Sequence, residues 1–141
     1  MGLGLKGRRM MNLLKPAVVV LDADVHQCGI VCETLRQFDY RATPVHSLPD
    51  LQAHLEAHPD QVAILDMDSV AADNRFFREL KRKIPGVYVL ALSSRSYHPG
   101  LEEAMGSHIY ACLGKPLDPE EFRYWMKSIA ENQAALTEAS P

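Results

Sequence analysis

Hydrophobic residues along this chain come in short unbroken bursts, separated by stretches where they recur every three or four positions. The first burst, Ala17-Val18-Val19-Val20-Leu21, is rich in β-branched residues and ends at Asp22-Ala23-Asp24. A strand that is apolar at every position is buried on both faces, which is the habit of a parallel sheet. Val25, Cys28, Val31, Cys32, Leu35 and Phe38 follow at spacings of three and four, one face of a helix. Tyr40–Val45 predicts a second strand, and Ser47 caps a helix whose apolar face is Leu48, Leu51 and Leu55. Val62–Leu65 predicts a third strand, again running into acids, Asp66 and Asp68. Asp73 caps a helix with Phe76, Phe77 and Leu80 inward, stopped by Pro85-Gly86. Val87–Leu92 predicts a fourth strand ending at Ser93-Ser94, and Pro99-Gly100 opens a short helix through Met105. Ile109–Leu113 predicts a fifth strand ending at Gly114-Lys115-Pro116. Asp118-Pro119-Glu120-Glu121 then supplies a cap, a proline at the first helical position and an acid three residues after the cap. It opens a last helix with Phe122, Trp125, Met126 and Ile129 inward.

Strand and helix thus alternate five times, which gives an α/β fold, a parallel sheet with helices on both faces. The crossovers are right-handed, and the site of such a doubly wound sheet lies beyond the carboxyl ends of its strands. The pattern places a domain at 16–131, after a basic, flexible leader at 1–15 and before a polar, frayed tail at 132–141.

Composition narrows the function classes. The chain has 141 residues, 47% hydrophobic and 23% charged, an ordinary globular balance that excludes a disordered or fibrous protein. No apolar run approaches the ~18 residues needed to span a bilayer, and the N-terminus lacks the apolar core of a signal peptide. Lys6, Arg8, Arg9 and Lys15 all fall in the leader, which leaves 11 basic against 18 acidic residues, a charge of −7, in the remainder. That sign is a poor footprint for nucleic acid. The three cysteines, Cys28, Cys32 and Cys112, form an odd set without zinc spacing and read as reduced thiols of a cytoplasmic protein.

The carboxyl ends of the strands carry the chemistry. Asp22 and Asp24 follow the first strand, Asp66 and Asp68 the third, Ser93 the fourth and Lys115 the fifth. Carboxylates hold a hard divalent cation such as Mg²⁺, one of them can take a phosphoryl group, and an ammonium and a hydroxyl orient the transferring oxygens. Asp24 and Asp73 serve equally well as helix caps.

VVVLDAD, VAILDMD, VLALSS and CLGKPLDPEE, in this order and spacing, resemble the receiver domain of bacterial two-component response regulators from about Ala17 to Glu131. The resemblance implies a flavodoxin-like (βα)5 fold with strand order 2-1-3-4-5. It implies Asp66 as phospho-acceptor, Ser93 as hydroxyl switch, Lys115 on the phosphoryl oxygens and a cis Lys115-Pro116 bond. Asp22, Asp66 and Asp68 would hold Mg²⁺, with Asp24 as a further candidate and a backbone carbonyl of Met67 or Asp68 close by. The phosphoryl donor would be a histidine kinase or phosphotransfer protein. A downstream protein, or a second copy, would dock on the face of the fourth helix, fifth strand and fifth helix. With little chain after that helix, output is expected through another protein, unless the chain is a piece of a longer one.

Four departures stand out. Ala23 replaces one of the family's two adjacent acids, which weakens Mg²⁺ binding unless Asp68 or Asp24 compensates. The segment from Ser69 to Asn74 lacks the usual proline and glycine. Cys112 stands where an aromatic switch residue is usual, so a coupled Ser–aromatic switch is lost. Asp68 and Arg95 stand at positions that tune phosphoryl lifetime, and their opposite charges either pair across the site mouth or stay solvated.

An active receiver, not itself an enzyme beyond self-phosphorylation and self-dephosphorylation, is favoured because acceptor, hydroxyl and lysine are all present. The alternative within the fold is a degenerate receiver that binds partners without phosphorylation. Outside it, Leu21-Asp22-Ala23-Asp24-Val25 also fits the opening motif of haloacid-dehalogenase-like phosphatases, with Asp22 as nucleophile and Asp24 as acid–base. That family's later acidic pair has no counterpart after Lys115.

Overall fold

A computed structural model describes residues 17–59, 61–96 and 98–139. The leader at 1–15 and the last two residues of the tail lie outside the described residues. The elements alternate strictly: β1 (Val18–Leu21), α1 (Val25–Gln37), β2 (Ala42–Val45), α2 (Leu48–Ala57), β3 (Val62–Asp66), α3 (Asn74–Lys83), β4 (Tyr88–Ser93), α4 (Glu102–Ser107), β5 (Ala111–Gly114) and α5 (Pro119–Ala139). All strand pairings are parallel, and the sheet runs β2-β1-β3-β4-β5. The order therefore reverses between β1 and β3, the place where an open sheet leaves a crevice.

Side chains of a strand alternate between its faces, and two cores follow from that period. Val19, Leu21, Ala63, Leu65, Val89 and Ala91 pack with Leu51 and Leu55 of α2, Phe77 and Leu80 of α3 and Ala104 of α4. Val18, Val20, Val62, Ile64, Leu90 and Leu92 pack with Cys28, Cys32 and Leu35 of α1 and Phe122, Met126 and Ile129 of α5. Two helices cover one face and three the other. Each fully buried Leu, Ile or Phe contributes about 1.5–3 kcal/mol relative to exposure, so strands apolar on both faces are held by a helix layer on each.

Asp24, Ser47 and Asp73 each accept the N–H of the third residue on, at Gln27, Asp50 and Phe76, and so cap α1, α2 and α3. Four local expectations differ from what forms. Val25 is 65% exposed, because α1 begins there, past the last residue of β1. The second strand starts at Ala42 because Asp39 takes a left-handed turn (φ 69°), which swings Tyr40 into the core edge-on to Phe122 at 5.1 Å. Pro99-Gly100 forms a turn, with Gly100 at φ 82°, and the short helix begins only at Glu102. Finally, residues 132–139 continue α5, since Asn132 to Ala139 contains good helix formers and no glycine or proline. Among the described residues, no helix is long and apolar enough to cross a membrane.

Candidate functional site

Register decides which side chains meet at the carboxyl edge. Leu21 lies opposite Leu65, Asp66 opposite Leu92, and Ser93 opposite Gly114. Asp22, Asp66, Ser93 and Lys115 are therefore neighbours across four adjacent strands, at the end of β1, β3, β4 and β5.

Asp66 is 2% exposed and closes β3. Both its carboxylate oxygens accept from Lys115 Nζ, at 2.9 and 2.8 Å, and Oδ1 also accepts the Asp68 N–H at 2.8 Å. Asp22, 3% exposed, accepts the Asp24 N–H at 2.8 Å in the same two-residue turn. Its own carbonyl oxygen is paired with His46 Nδ1 at 2.9 Å. The repeated Leu-Asp-x-Asp of β1 and β3 thus builds the same local structure twice, side by side. Burial raises the Asp22 carboxyl above its ordinary range, and its hydrogen bond and charge repulsion with Asp66 add to that.

Lys115 reaches in from β5 with a side chain 31% exposed, and its bond to Pro116 is cis. It pairs with Asp68 Oδ2 at 3.0 Å as well as with Asp66. Burial alone would lower the ammonium, but the two aspartates outweigh it and raise its pKa. Ser93 is 4% exposed; its hydroxyl donates to Asp68 Oδ1 at 3.1 Å and accepts the Arg95 N–H at 3.0 Å. The Ser94 N–H donates to Asp68 Oδ2 at 2.9 Å. For Asp68, too, burial alone would raise the carboxyl, yet the bonds from Ser94, Lys115 and Ser93 hold it well below the usual carboxylate range.

The structure therefore brings Asp22, Asp66, Ser93, Lys115 and Asp68 together, but sorts the acids. Asp22 and Asp66 face each other, while Asp68 is turned to Ser93, Ser94 and Lys115. Asp24 spends its side chain on the Gln27 N–H at 3.1 Å. Among the described residues, no three His, Cys, Asp or Glu side chains gather around a common point. Asp22 and Asp66 remain the pair whose chemistry suits a hard divalent cation, which is commonly held by one or two carboxylates with waters completing its shell. Arg95 makes no ion pair among the described residues, since Asp68 takes Lys115 instead. Cys112 is exposed, its Sγ 3.8 Å from Met105 Sδ of α4. A cavity of about 350 Å³ opens beside Asp22, Asp66 and Lys115, bounded by Gln27, Ile30 and Thr34 of α1.

Two contributors escaped the sequence pattern. The Ser94 donor is a backbone N–H, which no side-chain motif encodes. Ser69 accepts the Ala23 N–H at 3.0 Å and hydrogen-bonds Asp22, a contact made by a loop 46 residues away from Ala23.

No protein-family model matches the sequence, and no curated protein matches it. Solved structures do match. A response regulator receiver domain protein from Clostridium thermocellum is 16% identical with a TM-score of 0.75, over 86% of this chain and 98% of that one. A chemotaxis response regulator from Vibrio cholerae is 16% identical with a TM-score of 0.66, over 81% and 98%. The chain has the response-regulator receiver fold. A pilus assembly-related protein from Burkholderia pseudomallei shares this receiver fold too, at 20% identity and a TM-score of 0.67 over 83% and 90% of the two chains. At these identities the likeness extends to the fold.

Proposed function

We propose that this receiver accepts a phosphoryl group on Asp66 and signals through a protein-binding face. The observation that carries the reading is the buried Asp66 carboxylate, held in both oxygens by Lys115 at the switch point of the sheet, with Ser93 one strand away. A carboxylate fixed this way is an oriented nucleophile. In the transfer, an Asp66 oxygen bonds to phosphorus as the P–N bond of a phosphohistidine breaks, and the departing imidazole takes a proton. Lys115 stays with the charge that moves onto the phosphoryl oxygens, and the Ser93 hydroxyl donates to one of them. Mg²⁺, held by Asp22 and Asp66, would neutralise the same oxygens when bound. Ala23 leaves that pair without the adjacent acid, which favours weak metal binding.

The donor would be a histidine kinase or phosphotransfer protein. The output face is that of α4, β5 and α5, where Tyr110, Trp125 and Tyr124 stack edge to face and Tyr124 is exposed. A downstream protein, or a second copy, docks there. The likeness to a pilus assembly-related protein makes pilus assembly one setting for such a partner. The position of Asp68, described above, favours a second reading, a receiver that binds its partner without being phosphorylated. The phosphatase alternative has less support, because Asp24 caps α1 instead of standing free as an acid–base.

Intact mass after incubation with acetyl phosphate tests the reading. Gain of one phosphoryl group, dependent on Mg²⁺ and lost in Asp66→Ala, is the expected result. No adduct on a protein folded by circular dichroism would leave the phosphorylation-independent reading in its place.

A further inference from the structure

Three donors of different origin converge on one carboxylate in this site. The Ser93 hydroxyl comes from the end of β4, the Ser94 N–H from the loop after it, and the Lys115 ammonium from the end of β5. They reach the two oxygens of Asp68 at 3.1, 2.9 and 3.0 Å. A hydroxyl, a main-chain N–H and an ammonium aimed at one point are the chemistry that holds a tetrahedral oxyanion. They also lie beside the Asp66 carboxylate, where a phosphoryl group on that residue would project its oxygens. The geometry points to Asp68 as a tethered anion that fills this cradle itself and competes with a phosphoryl group for its three donors. The inference rests on the proposed reading of Asp66 as acceptor, and concerns how that site is regulated.

The tether is short and itself anchored. Asp68 stands two residues after Asp66, and its N–H donates to Asp66 Oδ1 at 2.8 Å. A ligand tied this closely acts at an effective concentration of about millimolar or above, so it competes well with a weakly bound free anion. Lys115 is shared between the tethered anion and Asp66, and a transferred group must take over the Lys115 and Ser93 bonds that Asp68 now holds. In the unmodified protein Ser93 and Ser94 are already bonded to an anion. Phosphorylation would therefore exchange one anion for another there, and the loop would gain fewer new contacts than it would from an empty cradle. This also accounts for the direction in which Asp68 points. The neighbouring Asp22–Asp66 pair repels it, and the cradle offers one positive charge and two further donors.

Two measurements test the inference, and they respond differently if Asp66 is not an acceptor. In the first, wild type and Asp68→Ala are compared for the rate of adduct formation with acetyl phosphate. Asp68→Ala is expected to react on the order of tenfold faster, because its cradle no longer has to be vacated. An equal or slower rate overturns the inference. In the second, Asp66→Ala and the double variant Asp66→Ala/Asp68→Ala are titrated with inorganic phosphate while the Ser94 amide is followed by ¹H–¹⁵N NMR. Removing Asp68 is expected to shift that amide upfield, and phosphate to move it back in the double variant at concentrations that leave the single variant unchanged. A Ser94 amide that ignores the loss of Asp68, or responds to phosphate equally in both proteins, overturns it. Failure of Asp66 as acceptor would abolish adducts in every protein of the first measurement and leave the second fully decisive. Asp68→Asn, which keeps the shape and removes the charge, serves in both if the alanine variant does not fold.

Discussion

Three carboxylates, Asp22, Asp66 and Asp68, meet beside the Lys115 ammonium, and each is satisfied differently. Asp66 and Asp68 bind it directly, and Asp22 is left with main-chain and hydroxyl partners against a neighbouring carboxyl. Burial first, and Asp66 second, raise the Asp22 pKa in the folded state above its ordinary value of 3.8. An acid raised in this way holds its proton more tightly folded than unfolded. Its contribution to stability is present below the unfolded value and is lost as pH rises from there through the folded one. Asp22→Asn keeps the acceptor for the Asp24 N–H and can donate to Asp66. Without divalent cation, it should therefore raise the melting temperature at pH 7 by a few degrees and flatten the fall in stability above pH 4. A wild-type and variant difference that is the same at pH 4 and pH 7 would contradict this. That Asp66, Ser93 and Lys115 lie at or just past the ends of apolar runs is plain in the sequence, and register carries such positions to one edge. The direction of Asp68 is not, since it depends on donors supplied by two other strand ends that its own segment does not contain.

Hydrophobic period and caps mark each strand and helix, and the structure departs from that pattern mostly at the element ends. Tyr40 follows the left-handed Asp39 and packs into the core without joining β2, and the segment 132–139 is polar although its residues favour helix. α4 is the element least legible, being six residues long with no side-chain cap at its start. What holds it is Asn74 of α3, whose amide donates to the Gly100 carbonyl oxygen at 2.9 Å and accepts the Ala104 N–H at 2.9 Å. A bidentate Arg78–Glu103 ion pair, at 2.9 and 2.6 Å on the exposed surface, joins α3 to α4 as well. Asn74→Ala should cost about 1–2 kcal/mol and speed amide exchange in residues 102–107 ahead of the sheet. Uniform exchange across the molecule in that variant would show that α4 is held without the Asn74 bonds. Because α4 is part of the proposed output face, the same two bonds tie that face to the start of α3.

For the molecule as a whole, the parallel sheet and its two cores follow from strand alternation, whereas the order β2-β1-β3-β4-β5 was implied by the receiver-like motifs, since right-handed crossovers alone allow other orders. The fold then places Asp66 at the switch point, with Lys115 and Ser93 beside it, whatever the partner. Function was legible only as far as that edge, because the face formed by α4, β5 and α5 carries no motif that names what binds there. The proposed function turns on whether Asp66 takes a phosphoryl group inside this pocket. A crystal structure of the protein with Mg²⁺ and fluoroberyllate, a tetrahedral phosphoryl analogue, tests it most directly. The expected structure has the analogue bonded to an Asp66 oxygen, Lys115 and Ser93 within hydrogen-bond distance of its fluorines, and the Asp68 side chain displaced. An Asp66 carboxylate still bare at saturating analogue, with Asp68 unmoved among Ser93, Ser94 and Lys115, would contradict it.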